Sequence, residues 1–438
     1  MLMLTYYVEL AFRSLRRSPG LTALMVLAIG FGVAASMTTY AVFRAVSGNP
    51  LPEKSAQLFT PQIDNLGPQS GKAKRDLPDA LTYTDAMALM HAHQATRQTA
   101  IYPVGYTMVP SDVTRLPFGV SGYAAYADFF PMFKVSFRYG GGWGDAEDAQ
   151  RANVIVISSQ LNQKLFGGGN SVGRMLNLDG HDYRVFGVLG NWNPQPRFYD
   201  VNNGNGFAEA PQFFLPFTRA VDLQTDTIGG NNCPGPPPPG WVGWLQSPCV
   251  WVSFWAELPD AAAAQRYRQF LTGYANEQQR SGRFNWPANV RLHDMAQWLD
   301  HEHVVPPETK VSLLVAISFL MVCLVNTIGL LLAKIMRRAG EIGMRRALGA
   351  SRGEIYRQFL VEAAMVGIAG GVLGLALTAL GVICVGLVFA PDIARLASVN
   401  PSLVGLTLLL AVATTVAAAF YPAWRAAHVQ PAWQLKCN

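Results

Sequence analysis

Histidines and carboxylates that lie close together in the sequence are the first candidates for metal or acid–base chemistry. His91 and His93 are separated by one residue, and His301, Glu302 and His303 follow one another. Imidazole nitrogens and carboxylate oxygens are common zinc ligands, but neither group has the spacing of a zinc motif. Such groups are usually solvated polar residues. We therefore predict no metal site and no catalytic residue in this chain.

The stretch NLGPQSGKA, residues 65–73, has some of the residues of a phosphate-binding P-loop. In that motif a lysine is followed by a Ser or Thr that binds Mg²⁺, and a strand precedes the loop. Here the glycine spacing differs, Ala73 replaces the Ser or Thr, and no strand pattern precedes it. The sequence therefore predicts no cofactor in this chain. If the protein depends on ATP and Mg²⁺, a partner ATPase must bind them.

The five cysteines fall into two groups. Cys323 and Cys384 lie in apolar runs and are expected to be packing residues, and Cys437 lies in the tail. Cys233 and Cys249 flank a stretch rich in proline and glycine. An oxidising compartment would favour a disulfide between these two. Two reduced loop thiols are the alternative, because sequence separation gives no geometry.

Four uncharged apolar stretches must position everything else: residues 21–43, 311–333, 363–390 and 402–420. A helix of about 20 apolar residues crosses the hydrocarbon core of a bilayer. The predicted fold class is an α-helical membrane protein with four transmembrane helices and a large mixed α/β extracytoplasmic domain inserted between helices 1 and 2. The predicted boundaries are 1–17 for a cytoplasmic amphipathic helix, 18–47 for transmembrane helix 1 and a stalk, 48–308 for the extracytoplasmic domain, 309–336 for transmembrane helix 2, 337–357 for a cytoplasmic coupling segment, 358–390 and 400–422 for transmembrane helices 3 and 4, and 423–438 for a cytoplasmic tail.

The distribution of charge argues against a nucleic-acid partner and orients the helices. The net charge is +6, yet residues 45–310 hold 20 basic and 23 acidic side chains, so the excess positive charge lies beside the apolar runs. Residues 334–357 alone carry seven basic side chains against two acidic ones. Loops rich in Lys and Arg stay in the cytoplasm. Both termini and residues 337–357 are therefore predicted to be cytoplasmic.

The long segment between the first two apolar runs has alternating strand and helix patterns. NVIVIS is typical of a strand, SSQLNQKLFGGG of a helix that ends at glycine, and AAAAQRYRQFLTGYANEQQR of a longer helix. RMLNLDGHDYRVFGVLG predicts a hairpin, because Asp-Gly is a preferred two-residue turn. Residues 191–249 are rich in Gly, Pro and Asn and are predicted to form long loops.

Two groups of residues, one in the third apolar run and one in the cytoplasmic segment before it, are candidates for protein contacts. Small residues four positions apart let helices approach closely in lipid, which makes the glycines of the third apolar run candidates for helix packing. Those glycines are Gly367, Gly370, Gly371 and Gly374. The basic segment before that run is predicted to dock on an ATPase through the residues Glu341, Ile342, Met344, Arg345, Arg346, Leu348, Gly349, Ala350, Ser351 and Arg352. A solvated loop that only sets topology is the simpler alternative.

Four segments together resemble one family. EIGMRRALGASRGEI, followed by a glycine-rich span, is similar to the segment after the second span of MacB-type (FtsX-superfamily) ABC transporter permeases. Residues 121–143 and 153–190 resemble the periplasmic core domain of that family, and YPAWRAAHVQPAWQL resembles its C-terminal signature. Each segment alone is a weak signal, whereas the ordered set is specific. Residues 191–249 depart from the family pattern.

The resemblance implies a permease of the bacterial cytoplasmic (inner) membrane that works as a dimer with cytoplasmic ABC ATPase subunits. It further implies an inserted part of the outer domain between residues 125 and 250, approximately. The second permease is either another copy or a paralogue. An extracytoplasmic adaptor protein and membrane lipids are further expected partners.

Two functions fit the resemblance. The first is mechanotransmission for efflux, in which ATP hydrolysis moves the outer domain and expels a hydrophobic or amphipathic substrate. The second is a regulatory module that uses the same motion to control an extracytoplasmic enzyme or sensor. A membrane-anchored enzyme is a third class, but no motif supports it.

Overall fold

The computed structural model describes residues 2–67, 77–110, 114–204, 206–208, 210–388 and 401–428. The chain divides into two compact units. The helical unit comprises Met1–Ser47 and Val305–Asn438, and the α/β domain comprises Gly48–Val304. The chain begins in the helical unit with α1 (Leu2–Arg17) and α2 (Pro19–Ser47).

Strands and short helices then alternate through the α/β domain. The strands are β1 (Leu58–Ile63), β2 (Leu81–Thr82), β3 (Arg97–Val109), β4 (Phe118–Ala125), β5 (Phe137–Gly140), β6 (Val154–Ile157), β7 (Met175–Leu178), β8 (His181–Leu189), β9 (Phe213–Pro216), β10 (Val250–Glu257) and β11 (Val290–Asp294). The helices are α3 (Tyr83–Ala92), α4 (Phe129–Met132), α5 (Asp145–Ala149), α6 (Ser159–Phe166), α7 (Phe217–Asp222), α8 (Gly240–Gln246), α9 (Ala261–Arg280) and α10 (Met295–His301), with a 3-10 helix at Phe198–Asn203.

Within the described residues these strands form one mixed sheet in the order β11-β1-β10-β3-β4-β9-β6-β8-β5, with β2 beside β10 and β7 beside β3 and β8. Successive side chains of a strand point to opposite faces. In β10, Phe254 and Ala256 therefore join one apolar core, while Trp255 joins the other. The sheet thus has a hydrophobic core on each face.

Local sequence signals explain several of these elements. The predicted hairpin is confirmed, because β7 and β8 pair antiparallel across Asp179 and Gly180, whose φ angles are 47° and 85°. The predicted helix α6 ends at Gly167, whose φ of 74° favours glycine. Helix α9 is confirmed as well, and its N-cap Asp260 accepts a hydrogen bond from the backbone of Ala263.

The prediction of long loops over residues 191–249 is wrong in one important respect. Strand β9 lies in this range and occupies an interior position of the sheet, parallel to β4 and antiparallel to β6. All four residues of the strand are buried. The run is short and surrounded by loop-forming residues, so only its two neighbouring strands identify it as part of the sheet.

The chain returns to the helical unit with α11 (Pro307–Arg337), α12 (Ala339–Ala347), α13 (Arg352–Val388) and α14 (Pro401–Ala427). Among the described residues, four helices are long and apolar enough to cross a membrane, namely α2, α11, α13 and α14. A large mixed α/β domain lies in the chain between the first and second of them. The predicted fold class is therefore confirmed.

Candidate functional site

The segment between α11 and α13 is a short helix followed by a tight turn. Helix α12 has Arg338 as its N-cap residue and ends before Gly349, whose φ of 104° is a conformation that other residues adopt with strain. Ser351 and Glu354 then form a capping box, with the backbone N–H of each donating to the side chain of the other, at 2.8 and 3.2 Å. Both ends of the segment are therefore held by local structure.

The apolar residues of α12 divide into one that is buried and two that are exposed. Ile342 is 6% exposed and packs in a cluster with Ile335 and Phe359. Met344 and Leu348 are 66% and 83% exposed. The sequence predicts Ile342 as a docking residue, but in the structure its side chain belongs to the core of the helical unit and has little surface left for a partner. Met344 and Leu348 form the exposed apolar surface of the segment.

The charged residues of α12 bond mainly within the helical unit. Glu341 accepts a hydrogen bond from Arg345 at 2.8 Å and forms an ion pair with Arg17 of α1 at 3.4 Å. Arg346 donates to the backbone oxygen of Ala427, at the end of α14, at 3.3 Å. These contacts set the orientation of α12 against α1 and α14. Ala350, Ser351 and Arg352 follow in the turn and the start of α13.

A buried polar cluster lies at the base of the same segment, and we call it the Glu362 cluster. It consists of Ser14, Lys334, Arg338 and Glu362. Lys334 of α11 and Glu362 of α13 form an ion pair, and each side chain is 2% exposed. The Ser14 hydroxyl donates to Glu362 Oε1 at 2.7 Å, while Arg338 donates to the same hydroxyl and, at 2.8 Å, to the Ser14 backbone oxygen. The cluster joins α1, α11 and α13.

Sequence reasoning missed this cluster. Glu362 directly precedes the uncharged run 363–390, and Lys334 directly follows the run 311–333, which are positions typical of charges that flank a membrane span. In the structure Glu362 lies well inside α13. The available signal was that an acid and a base each border an apolar run, but their pairing depends on the packing of two helices.

The four predicted packing glycines lie at close helix contacts within this chain. An added Cβ at Gly367 or Gly371 would stand 2.9–3.0 Å from atoms of α14. At Gly370 and Gly374 the nearest atoms belong to α2, at 2.9 and 3.3 Å. Real Cβ atoms seldom come this close to a neighbour, so these glycines let α13 approach both helices.

In the α/β domain a disulfide links Cys233 and Cys249, 16 residues apart in the chain. Asn232 next to the first cysteine pairs with Val250 next to the second as a β-bridge. The disulfide thereby attaches the Pro- and Gly-rich loop to the start of β10. Of the other cysteines in the described residues, Cys323 is buried and Cys384 is exposed.

Asp79 joins two of the predicted polar residues, His301 and Glu302, in a cluster whose ligand atoms lie within 4.8 Å of one another. The buried Gln62 amide nitrogen faces the Leu77 and Pro78 carbonyls and lies 3.3 Å from His301 Nε2. Because those carbonyls fix the amide orientation, His301 Nε2 accepts this hydrogen bond. A metal would have to displace it.

In the part of the chain that the structure describes, the other polar candidates do not assemble into a site. His91 and His93 lie at the end of α3, and His93 Nδ1 is 3.5 Å from the Gln98 amide nitrogen. Most of the P-loop-like stretch, from residue 68 onward, lies outside the described residues.

A separate buried carboxyl group, that of Asp148, accepts hydrogen bonds from the Ala127 backbone and the Trp143 indole. Burial raises the pKa of Asp148 to about 7.

Comparison with known families agrees with this architecture. Residues 22–271 match the family model of the MacB-like periplasmic core domain, and residues 313–431 match that of the FtsX-like permease C-terminal domain. The first match alone covers more than half of the chain. The fold and these matches define a multi-pass membrane permease. The chain belongs to the MacB/FtsX family of ABC transporter permeases.

Individual relatives are more distant. The macrolide export ATP-binding/permease protein MacB of Salmonella typhi is 26% identical over 370 residues, which are 82% of this chain and 49% of that protein. The pyoverdine export ATP-binding/permease protein PvdT of Pseudomonas aeruginosa is 26% identical over 322 residues, 72% of this chain and 42% of that protein. The chain thus spans about half the length of the curated relatives it matches.

Two solved structures have some similarity to this chain. The periplasmic region of MacB from Actinobacillus actinomycetemcomitans has a TM-score of 0.36 at 13% identity, over 57% of this chain and 94% of that one. The extracellular domain of the noncanonic ABC-type transporter YknZ from Gram-positive bacteria has a TM-score of 0.34 at 12% identity, over 53% and 99%. The family assignment rests on the sequence matches.

Proposed function

We propose that this chain is the permease part of a MacB/FtsX-type ABC transporter that transmits ATP hydrolysis by an ATPase to movement of its α/β domain. The movement would drive export of a hydrophobic or amphipathic substrate. Family membership implies the cytoplasmic ATPase, which is expected here on a separate subunit. ATP and Mg²⁺ would bind to that ATPase.

The proposed topology places α12 and both termini in the cytoplasm and the α/β domain outside the cytoplasmic membrane of a bacterium. Its support is the concentration of Lys and Arg in α1 and in residues 334–357. On α1, the Arg16 guanidinium lies 4.5 Å from the centre of the Phe12 ring, and Phe12 is 49% exposed. Near the end of α14, Tyr421 and Trp424 are more than half exposed. Basic and aromatic side chains together are typical of the lipid headgroup region, which fits lipids as a partner.

The observation that carries the proposal is the division of α12 into an anchored side and an exposed side. Ile342 fixes the helix to the core, while Met344 and Leu348 present apolar surface beside basic residues. Large apolar side chains surrounded by polar ones are typical of the centre of a protein interface. A partner that grips Met344 and Leu348 would therefore move α12 and the helices attached to it.

Export as the outcome is supported by the relatives, which are named for macrolide export and pyoverdine export. The four spans of this chain are apolar, and the two buried charges, Lys334 and Glu362, are paired with each other. Such spans offer little to a polar solute crossing between them. Movement of the α/β domain is therefore the proposed source of export. An adaptor outside the membrane is an expected partner.

A second permease copy, or a paralogue, is the expected partner within the membrane. Helix α11 has the least covered apolar stretch of the four, with 22% of its residues buried against 33–44% in the others. Its exposed residues include Val311, Val315, Val322 and Val325, which recur at the spacing of a helix–helix seam. A second copy would cover this seam.

The test is co-purification of the full chain with its ATPase from the native host, followed by mass spectrometry. Met344→Asp with Leu348→Asp should reduce recovery of the ATPase at least tenfold, because each aspartate would have to be desolvated in an apolar contact. Unchanged recovery and ATP turnover would contradict the docking role.

A matched control places the same two charges elsewhere. Leu116 and Val242 of the α/β domain are 85% and 65% exposed, close to the exposure of the docking pair. Leu116→Asp with Val242→Asp adds the same charge and should leave recovery of the ATPase unchanged. Equal loss in both variants would show a general effect of charge on expression or folding.

A further inference from the structure

The Glu362 cluster lies where charge is costly. Lys334 and Glu362 are almost fully buried, on two helices that are long and apolar enough to span a membrane. Removing two charges from water is unfavourable, and the attraction between them often does not compensate for the lost hydration. Two apolar side chains would hold α11 and α13 together at less cost. Stability alone therefore does not account for the pair.

The hydrogen bonds of the cluster run in one direction across three helices. Arg338 donates to the Ser14 hydroxyl, and that hydroxyl donates its single proton to Glu362. Glu362 also forms the ion pair with Lys334. Because Ser14 can donate only once, Arg338 and Glu362 are joined through α1. A displacement of Arg338 therefore acts on α1 directly and on α13 through the Ser14 hydroxyl.

Arg338 is also the N-cap residue of α12, so the cluster begins where the docking helix begins. Met344 and Leu348 lie two to three turns along the same chain segment. The second carboxylate oxygen of Glu362 has no hydrogen-bond partner among the residues that the structure describes. The pair is thus fixed from one side only, in contrast to a fully bonded structural ion pair.

We propose that the Glu362 cluster is the positioning element that converts displacement of α12 into displacement of α1, α11 and α13. Ser14, Lys334, Arg338 and Glu362 are positioning residues, and the surface gripped by the partner is Met344 and Leu348. This inference rests on the proposed function, since it assigns the route by which the ATPase acts on the helical unit. It adds residues that play no part in docking.

The test uses the full chain in complex with its ATPase, reconstituted in lipid, with two spin labels. Gly273→Cys lies on α9 of the α/β domain and Gly405→Cys on α14, and an added Cβ at either position meets no neighbour within 4 Å. Cys323, Cys384 and Cys437 are first replaced by serine. The distance distribution between the labels is measured with ADP and with ATP plus vanadate.

The variant is Lys334→Met with Glu362→Leu, which removes both charges and leaves apolar side chains of similar size. We expect the ATPase to co-purify and to hydrolyse ATP within twofold of wild type, with an unchanged or higher Tm. The ATP-dependent shift in label distance should be lost. An ATP-dependent shift equal to that of wild type would overturn the proposal, because the pair would then serve packing only.

A milder variant covers the case in which the double variant does not fold. Ser14→Ala removes one hydroxyl and should reduce the shift at least twofold. Ser36→Ala is its matched control, since Ser36 is also buried and donates to the Ala316 backbone oxygen of α11, at 3.1 Å. Equal effects of the two alanines would overturn the proposal. If the wild-type complex hydrolyses ATP but shows no shift, the proposed function fails together with this proposal. If wild type shows the shift and the variants retain it, only the positioning role of the Glu362 cluster is refuted.

Discussion

Two buried ion pairs, one in each unit, are built in different ways. In the α/β domain Asp85 is fully buried, and Arg283 contacts both of its oxygens, at 2.5 and 2.8 Å. Thr82, Asn65 and Tyr274 donate three further hydrogen bonds to the same carboxylate. In the helical unit Glu362 has one oxygen bonded and the other without a partner among the described residues.

The difference indicates two roles. A carboxylate with five donors has one favoured geometry, so the Asp85 pair fixes α3 against the segment after α9. A carboxylate held on one side can be pulled to a new position with the loss of few bonds. The first arrangement is expected in a rigid body, and the second in a part that moves.

The largest expected effect comes from breaking the rigid pair. Arg283→Ala leaves the Asp85 charge buried without its cation, and losing one partner of such a pair typically costs about 3–5 kcal/mol. Because the Arg283 side chain is 29% exposed, we expect the lower end, about 3 kcal/mol. Chemical unfolding of the α/β domain within the full chain measures the change.

The control for that prediction is Arg268→Ala, an exposed arginine on α9 whose side chain donates to Gln265. It should change the free energy of unfolding by less than about 0.5 kcal/mol. A loss for Arg283→Ala as small as that of the control would contradict the role of the Arg283–Asp85 pair in holding the α/β domain together.

The disulfide is a covalent counterpart to the Asp85 pair. A closed loop of about 15 residues contributes about 3 kcal/mol by restricting the unfolded chain. Cys233→Ser with Cys249→Ser should therefore lower the free energy of unfolding of the α/β domain by about that amount. Reductant should cause the same loss in wild type and none in the variant. A reductant effect that persists in the variant would point to another source.

Asp148 is a third buried carboxyl group, which accepts hydrogen bonds from two N–H donors, the Ala127 backbone and the Trp143 indole. Its pKa is raised to about 7 in the folded domain, mainly by burial. In the unfolded chain an aspartate titrates near 4. Between about pH 4 and 7 the Asp148 carboxyl group is therefore protonated in the folded domain and ionised in the unfolded chain. The contribution of Asp148 to stability should therefore fall as pH rises through that range and then level off.

Asp148→Asn should flatten this part of the profile of unfolding free energy against pH. The exposed Asp226, whose side chain accepts from the Thr227 backbone, provides the control variant Asp226→Asn. A profile that stays steep in Asp148→Asn would assign the pH dependence to other groups.

What the sequence predicts well is local. The turn at Asp179-Gly180, the helix end at Gly167 and the four apolar runs each depend on residues within one segment, and all appear in the structure. Strand β3 is harder to predict, because Pro103 lies inside it and proline is unfavourable in an interior strand. The structure places Pro103 opposite Tyr123 of β4.

The candidate site shows the same limit. The exposed pair Met344 and Leu348 follows from the helical pattern of one segment. Burial of Ile342 depends on contacts with α11 and α13, and the Glu362 cluster depends on Ser14, 348 residues away in the chain. Such contacts depend on how the helices pack against one another, and the residue pattern within one segment does not predict them.

Transmission from the ATPase to the α/β domain is measured by the distance between labels at Gly273→Cys and Gly405→Cys in the lipid-reconstituted complex with the ATPase. We expect ATP plus vanadate to shift the distance distribution and Met344→Asp with Leu348→Asp to abolish the shift. An unchanged distribution in a wild-type complex that hydrolyses ATP would contradict this transmission.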